Sequence, residues 1–196
     1  MSAKSIALLL SVLMSAALSS PVSAAESPGA AVRPRLQHLL EVAARNTHKH
    51  FIMAAVPGAW PDLSWYGVED GAVSYPVLLT ILADNNLAAV DDGGMVNIVP
   101  LFNIRSYPTL TLTARELEKT HLPDDQVISV LIHVEHIDAA KLVPVLRPLI
   151  PQWGQLSATE PNTLIMTGTF ANARRIAYMV RSLDQPVSAN GPRTQP

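Results

Sequence analysis

The sequence predicts an α+β fold of two small domains, because segments with strand periodicity alternate with amphipathic helical segments through the middle of the chain. The most regular run lies at residues 125–186, where the predicted order is β-α-β-β-α. A looser run precedes it at residues 35–102. The middle of the chain, about 150 residues between the two ends, is long enough for one domain or two small ones. The Thr- and Pro-containing segment between the two runs favours two domains.

The second predicted domain begins with a strand and a helix. In QVISVLIHVEHI apolar side chains recur at every second position, which places one face of a strand in a core. Asp138 stands where a helix N-cap belongs. Pro144 and Pro148 each remove a backbone donor, so we expect this helix to be short or bent. The positions expected to be buried are Ile128, Val130, Ile132, Val134, Leu142, Val143, Leu146, Leu149 and Ile150.

A hairpin and a second helix complete this domain. QLSATEPNTLIMTG predicts two short strands around a turn, in which Pro161 fixes one residue and Asn162 accepts a positive φ. We expect Ile165 to lie on the buried face of the second strand. Thr169 is a suitable N-cap for the last helix, which a proline ends. The apolar stripe of that helix consists of Ala173, Ile176, Ala177, Val180 and Leu183.

This ordered set of motifs resembles the second periplasmic domain of secretins, the outer-membrane channel proteins of type II secretion. The family pattern is a helix of the form L-x-x-L-R-P-L, a strand-turn-strand with P-N-x-L or P-x-N-x-L, and a helix ending L-D-Q-P. The strings LVPVLRPLI, EPNTLIMTG and VRSLDQP match it here and supply Arg147, Pro148, Asn162 and Asp184 as markers of the fold. The resemblance implies a KH-like module that packs against copies of itself in a ring. We expect isolated copies to form a homo-oligomer only weakly.

The first predicted domain opens with the amphipathic helix RLQHLLEVAARNTHKHF, whose stripe contains Leu36, Leu39, Leu40, Ala43 and Ala44. A short strand at residues 51–55 and a second near residues 62–68 follow. Ser74 is a suitable N-cap for a helix that the pair 85–86 ends. Strands at residues 87–90 and 95–99 then flank the hairpin loop DDGG.

This order of elements, with the string VLLTILADNNLAAVDDGGMVNIVP, is similar to the secretin N-terminal domain, which also stands at the front of some TonB-dependent receptors. The family usually has Asp-Pro-x-Val-x-Gly after its first strand, whereas this chain has AAVPGAWPDLSWYG. Large aromatic side chains in loops often anchor interfaces. Trp60, Trp65 and Tyr66 are therefore the predicted partner-binding residues, with ordinary packing as the alternative; for Trp153 packing is the favoured interpretation.

Residues 103–124 are predicted to form an inter-domain linker with a helical turn at residues 114–119. Residues 1–24 have the charged, apolar and small-residue regions of a signal peptide, and the apolar run is shorter than the roughly 18 residues of a membrane span. We expect export to the periplasm, a flexible leader at residues 25–34 and a disordered tail at residues 187–196. The net charge of −2 predicts no nucleic-acid binding, and the lack of cysteine excludes a disulfide framework.

No sequence motif indicates an enzyme. The chain has no G-x-S-x-G elbow, glycine-rich phosphate loop or H-E-x-x-H helix. On a strand His133 and Glu135 share one face while His136 points to the other, which argues against a metal site. Asp91 and Asp92 precede glycine but lack the alternating ligands of a calcium loop. We predict no catalytic residues, no metal, no cofactor and no small-molecule substrate.

The leading hypothesis is a non-catalytic periplasmic component of a type II-like secretion system. The resemblance implies that the first domain docks inner-membrane machinery, and the partners are expected to be inner-membrane secretion components or a secretin. The sequence ends about ten residues after L-D-Q-P, before any channel region, so we do not expect it to form the pore. The alternatives are a signalling module like the receptor-front domain and a small exported hydrolase that uses His133 or His136.

Overall fold

The computed structural model describes residues 33–53, 63 and 67–186. It shows two small sheets with helices packed on them, which confirms the α+β class and the two-domain architecture. The predicted signal peptide, leader and tail lie outside the described residues, apart from the last two leader residues, and stay predictions. No helix in the described ranges combines the length and apolarity needed to span a bilayer.

The first unit contains α1 (Arg33–Thr47), β1 (Phe51–Met53), α2 (Tyr75–Asp84), β2 (Leu87–Asp91) and β3 (Val96–Pro100). Its strand order is β1-β3-β2, with β1 parallel and β2 antiparallel to β3. Helix α2 begins after Ser74 as predicted, but the Ser74 side chain makes no capping hydrogen bond. A buried cluster joins α1 and α2 to one sheet face; among its members are Leu36, Leu39, Leu78, Leu82, Leu87 and Ile98.

The second unit contains β4 (Leu110–Thr113), α3 (Ala114–Lys119), β5 (Val127–His133), α4 (Ala139–Leu146), β6 (Gln155–Thr159), β7 (Thr163–Thr169) and α5 (Phe170–Leu183). The strand order is β4-β5-β7-β6. All three helices contribute to one cluster on one face, which buries Leu117, Ile128, Val130, Leu142, Leu146, Leu164, Met166, Ile176 and Val180. We call the opposite face the open face.

The predicted linker at residues 103–124 differs from the structure. A 3₁₀ helix spans Leu101–Ser106, and β4 pairs in parallel with β5, so part of this segment belongs to the second sheet. The predicted helical turn is present as α3. A capping box between Thr113 and Glu116 forms its N-terminus. A four-residue strand that pairs in parallel with a later strand leaves only a weak pattern in sequence, because its partner is non-local.

Two apolar stripes are shorter than predicted. Helix α4 ends at Leu146 after an internal Pro144 and continues as the 3₁₀ helix Arg147–Leu149, which agrees with the expected short helix. The tighter 3₁₀ winding turns Leu149 outward, so this side chain is exposed. Leu183, the last residue of α5, is exposed as well.

The buried face of β7 is the opposite of the predicted one. Leu164 and Met166 are 0% exposed and face the helices, whereas Ile165 is only partly buried on the open face. The apolar run Leu164–Met166 occupies consecutive positions, so the period of two does not indicate which face is buried. The pairing of Leu164 with Ile132 and of Met166 with Val130 determines which face of β7 is buried.

A third apolar cluster joins the two units. It contains Val90 of β2, Leu101 and Ile104 of the 3₁₀ helix, and Val127 of β5, with Trp153 packed against it. The Tyr75 hydroxyl donates to Gln126 Oε1 at 3.3 Å, and the Thr80 hydroxyl donates to the Asp125 carboxylate at 2.6 Å. Apolar and polar contacts therefore both hold the second unit against the first.

Candidate partner-binding site

The open face of the second sheet is one candidate surface for a partner. Its register places Ser129 beside Thr167 and Leu131 beside Ile165. Ser129 Oγ lies 3.0 Å from Thr167 Oγ1, and Leu131 is 37% exposed. An apolar centre with a polar, hydrogen-bonded surround has the composition of a modest protein interface.

The free edge at β4 is a second candidate. Strand β4 pairs with β5 alone, and the register places Leu110 beside the fully buried Ile128. Leu110 thus belongs to the row of side chains that faces the helices. It is nevertheless 50% exposed, and no described strand lies beyond it. A free strand edge beside an exposed apolar side chain can pair with an extended segment of another chain.

A cavity of about 440 Å³ adjoins this edge at the junction of the two units. Lys49 Nζ lies 2.7 Å from Asp91 Oδ2 and 4.9 Å from the centroid of the Tyr75 ring. The charges in this cavity therefore compensate each other, and the remaining lining is mostly apolar. The apolar lining residues are Val90, Leu110, Leu122, Pro123 and Val127.

Burial and ion pairing fix the charge states of Tyr75 and Asp91 in this cavity. Burial, with a smaller effect from the Asp91 carboxylate, raises the pKa of Tyr75 to about 12, so the phenol keeps its proton at neutral pH. The hydrogen bond from Lys49 holds the pKa of Asp91 below its ordinary value despite partial burial. Both groups are therefore committed to their contact with each other and with Lys49.

Asn162, one of the motif residues, holds the loop between β5 and α4. It has a positive φ of 40°, as the turn prediction requires. Its side-chain oxygen accepts from the Ala139 N–H at 2.7 Å, and its Nδ2 donates to the carbonyls of Val134 at 2.6 Å and Ile137 at 2.9 Å. One amide therefore fixes three backbone groups and the start of α4.

The Asp184 carboxylate, at the end of α5, binds the same loop. Its carboxylate accepts from the backbone N–H groups of Glu135 at 2.7 Å, His136 at 2.6 Å and Ile137 at 3.0 Å. Burial opposes its ionisation, but these hydrogen bonds prevail and hold the pKa of the carboxyl below its ordinary value of 3.8. The motif residues Asn162 and Asp184, far apart in sequence, thus meet on one loop.

The other two motif residues act on a different turn. The Arg147 guanidinium donates to the carbonyls of Ile150, Pro151 and Gln152, each at 3.3 Å. Pro148 lies in the exposed 3₁₀ helix that follows α4. Both residues shape the connection from α4 to β6.

The Asp184 contact predicts a specific pH dependence. Because the folded-state pKa is below that of the unfolded chain, the carboxylate stabilises the fold above about pH 4, and this contribution is lost as the pH falls through the folded-state pKa. We expect Asp184→Asn to be less stable than wild type at pH 7, with a difference that shrinks toward pH 2. Urea unfolding followed by circular dichroism at several pH values measures it; an equal difference at every pH would contradict this account.

The histidine and acidic residues of the β5 end do not converge. His133 Nδ1 lies 3.4 Å from the Thr163 hydroxyl, and the side chains of Glu135 and His136 are exposed while their N–H groups bind Asp184. Within the described residues no three His, Asp or Glu side chains are arranged to hold a metal. Asp91 is occupied by Lys49.

Of the four aromatic residues considered as candidates, the structure describes Trp153. Trp60, Trp65 and Tyr66 lie outside the described residues, and their partner-binding role stays a prediction. Trp153 packs against the cluster between the units, as the packing interpretation expects. Sequence reasoning missed Leu110 and Tyr75 as site residues, because each depends on contacts between segments that are distant in the chain.

Comparison with known proteins confirms the resemblance to secretins. The secretin XcpQ of Pseudomonas aeruginosa is 29% identical over 112 residues, which is 57% of this chain and 16% of XcpQ. The secretin GspD of Vibrio cholerae is 23% identical over 179 residues, which is 89% of this chain and 26% of GspD. The chain therefore spans only a small part of these relatives. No protein-family model matches it.

A solved structure shares the fold. A chain in the Klebsiella pneumoniae type II secretion system outer membrane complex, which contains PulD, PulS and the PulC HR domain, matches with a TM-score of 0.59 at 19% identity. The match covers 76% of this chain and 25% of that chain. At this identity the likeness shows the fold alone.

Proposed function

We propose that this chain is a non-catalytic binding and assembly component of a type II-like secretion system, acting in the periplasm through protein partners. The observation that carries the proposal is the free β4 edge beside the junction cavity, since it offers unpaired backbone, an exposed Leu110 and an apolar recess at one place. These features suit an extended polypeptide segment. The similarity to XcpQ and GspD supplies the kind of system.

The proposed docking of inner-membrane machinery rests on the first unit. Among the described strands of its sheet, β1 lies at an edge with Ile52 exposed, and in the sequence it directly precedes the segment that carries Trp60, Trp65 and Tyr66. An edge strand offers backbone groups for pairing, and large aromatic residues close to it in sequence are suitable anchoring side chains. We place the inner-membrane partner there and the second partner at β4.

A pull-down tests both placements. Residues 25–196 serve as bait for detergent-solubilised membranes of a cell that carries a type II secretion system, and bound proteins are identified by mass spectrometry. We expect recovery of inner-membrane secretion components, reduced about thirtyfold or more by Trp60→Ala with Trp65→Ala, because central aromatic residues each contribute about 1 to 2 kcal/mol or more. Leu110→Asp is expected to remove a different set of proteins.

The control for the second variant is Val145→Asp, which places the same charge on an exposed apolar position of α4 away from β4. Circular dichroism establishes that each bait is folded. A folded wild-type bait that recovers no secretion component would contradict the proposal and favour the signalling module. Equal recovery by Leu110→Asp and wild type would remove the β4 edge from it.

A further inference from the structure

The outer surface of α5 is a basic groove with an exposed aromatic centre. The helix contains three arginines and no acidic residue. A cavity of about 490 Å³ lies between α5 and α3, and Leu117 and Ala177 form its buried apolar floor. Arg174, Arg175, Tyr178 and Arg181 line it, and Tyr178 is 71% exposed.

The charge of this groove is incompletely compensated. Two carboxylates, Glu118 and Asp124, face the three guanidinium groups. Arg181 forms an ion pair with Glu118, while Arg175 donates to the carbonyl of Leu149 and forms no ion pair within the described part of the chain. Arg174 lies over the ring of Phe170, 5.7 Å from its centroid, and forms no ion pair with the described residues. A net positive charge therefore remains on a chain whose overall charge is −2.

The residue types point to a protein ligand. Tyrosine and arginine are the residues most enriched at interface hot spots, and a large ring exposed between cations covers area at low entropic cost. Guanidinium groups bind carboxylates in a directed, bidentate way.

We propose that the α3–α5 groove binds an acidic segment of a partner protein, with one apolar side chain against Tyr178 and carboxylates on Arg174 and Arg181. Glu118 then acts as an internal competitor, since its ion pair with Arg181 has to open for a partner carboxylate to bind. The inference rests on the proposed function as a binding component, but its residues are different from those of the β4 edge and of the aromatic segment.

The test uses residues 25–196 labelled with ¹⁵N and a 12-residue peptide that has four glutamates around a central leucine. A matched peptide has glutamines in place of the glutamates. We expect saturable amide shifts at residues 117–124 and 171–181 with the acidic peptide. Its affinity is expected to fall about tenfold or more between 50 mM and 500 mM salt, because screening weakens exposed charge pairs. The glutamine peptide is expected to bind at least tenfold more weakly.

Variants separate the groove from general charge. Arg174→Glu and Tyr178→Ala are each expected to weaken peptide binding about tenfold, and Glu118→Gln to strengthen it by removing the competitor. As controls, Arg105→Glu makes the same charge reversal and Phe102→Ala removes another exposed aromatic ring, both in the 3₁₀ helix Leu101–Ser106. Both are expected to leave binding unchanged. Circular dichroism checks that the variants are folded.

Several results would overturn the inference. They are equal binding of both peptides, shifts outside the groove, or no shift up to millimolar peptide. Concentration-dependent shifts of the groove residues without peptide would assign it to a second copy of this chain. Binding to anionic vesicles but not to the peptide would assign it to a lipid surface. Each of these leaves the pull-down through Trp60, Trp65 and Leu110 unaffected, so failure of the groove and failure of the proposed function are distinguishable.

Discussion

Replacement of Leu164 by alanine is expected to lower the free energy of unfolding by about 2 to 5 kcal/mol. The Leu164 side chain is 0% exposed and lies in the middle of the cluster that joins β5, β6 and β7 to the helices. Strand β7 lies between β5 and β6, so its backbone cannot shift to fill the space without disturbing both neighbours. The cavity therefore stays largely open, and its cost adds to the lost burial.

Ile165→Ala is the matched control, because it changes the neighbouring residue of the same strand on the opposite face. Ile165 is partly buried and is paired with Leu131 and Ser157 on the open face. We expect a loss of about 1 kcal/mol or less, typical of one cross-strand pair. Urea unfolding of residues 25–196, followed by circular dichroism, measures both. A cost for Ile165→Ala as large as that for Leu164→Ala would show that the open face is covered in solution.

Asn162→Ala is expected to cost about 2.5 to 5.5 kcal/mol. The substitution removes three hydrogen bonds to backbone groups of the loop after β5, and each net bond contributes about 0.5 to 1.5 kcal/mol. It also leaves the Ala139 N–H at the start of α4 without its acceptor. Alanine at a φ of 40° adds strain of about 1 kcal/mol that asparagine tolerates better.

Two further variants separate these causes. Asn162→Gly relieves the backbone strain but lacks the side chain, so it is expected to recover about 1 kcal/mol relative to alanine. Asn162→Asp can still accept from Ala139 but cannot donate to the carbonyls of Val134 and Ile137. We expect the denaturant midpoint at pH 7 to decrease in the order wild type, Asn162→Gly, Asn162→Ala. A glycine variant as stable as wild type would mean that the loop does not depend on the amide.

The sequence predicted most helices and strands because their apolar side chains repeat at local spacing. The alternation of Ile128, Val130, Ile132 and Val134 identified the inner face of β5, and all four are buried. The caps at Asp138 and Thr169 also appear as predicted, since capping involves residues only two or three positions away. Local signals of this kind need no knowledge of the partner strand.

The sequence identifies the motif residues but not the contacts that explain their role in the fold. Asn162 was expected to form a turn, which its positive φ agrees with. Its three backbone contacts, and those of Asp184 to the same loop, require the end of α5 to lie beside the end of β5. That proximity follows from sheet order and helix packing, which sequence spacing does not encode.

By itself, then, the sequence determined the α+β class, the order of the β-α-β-β-α elements and the resemblance to secretins. Tertiary structure alone decided that Leu164 and not Ile165 is buried, that β4 joins the second sheet, and that the α3–α5 groove exists. The physical reason is the same in each case, because none of these features has a local period in the sequence. They are a run of consecutive apolar residues, a short edge strand and a surface shared by two helices. Contacts between segments that are distant in the chain determine each of them.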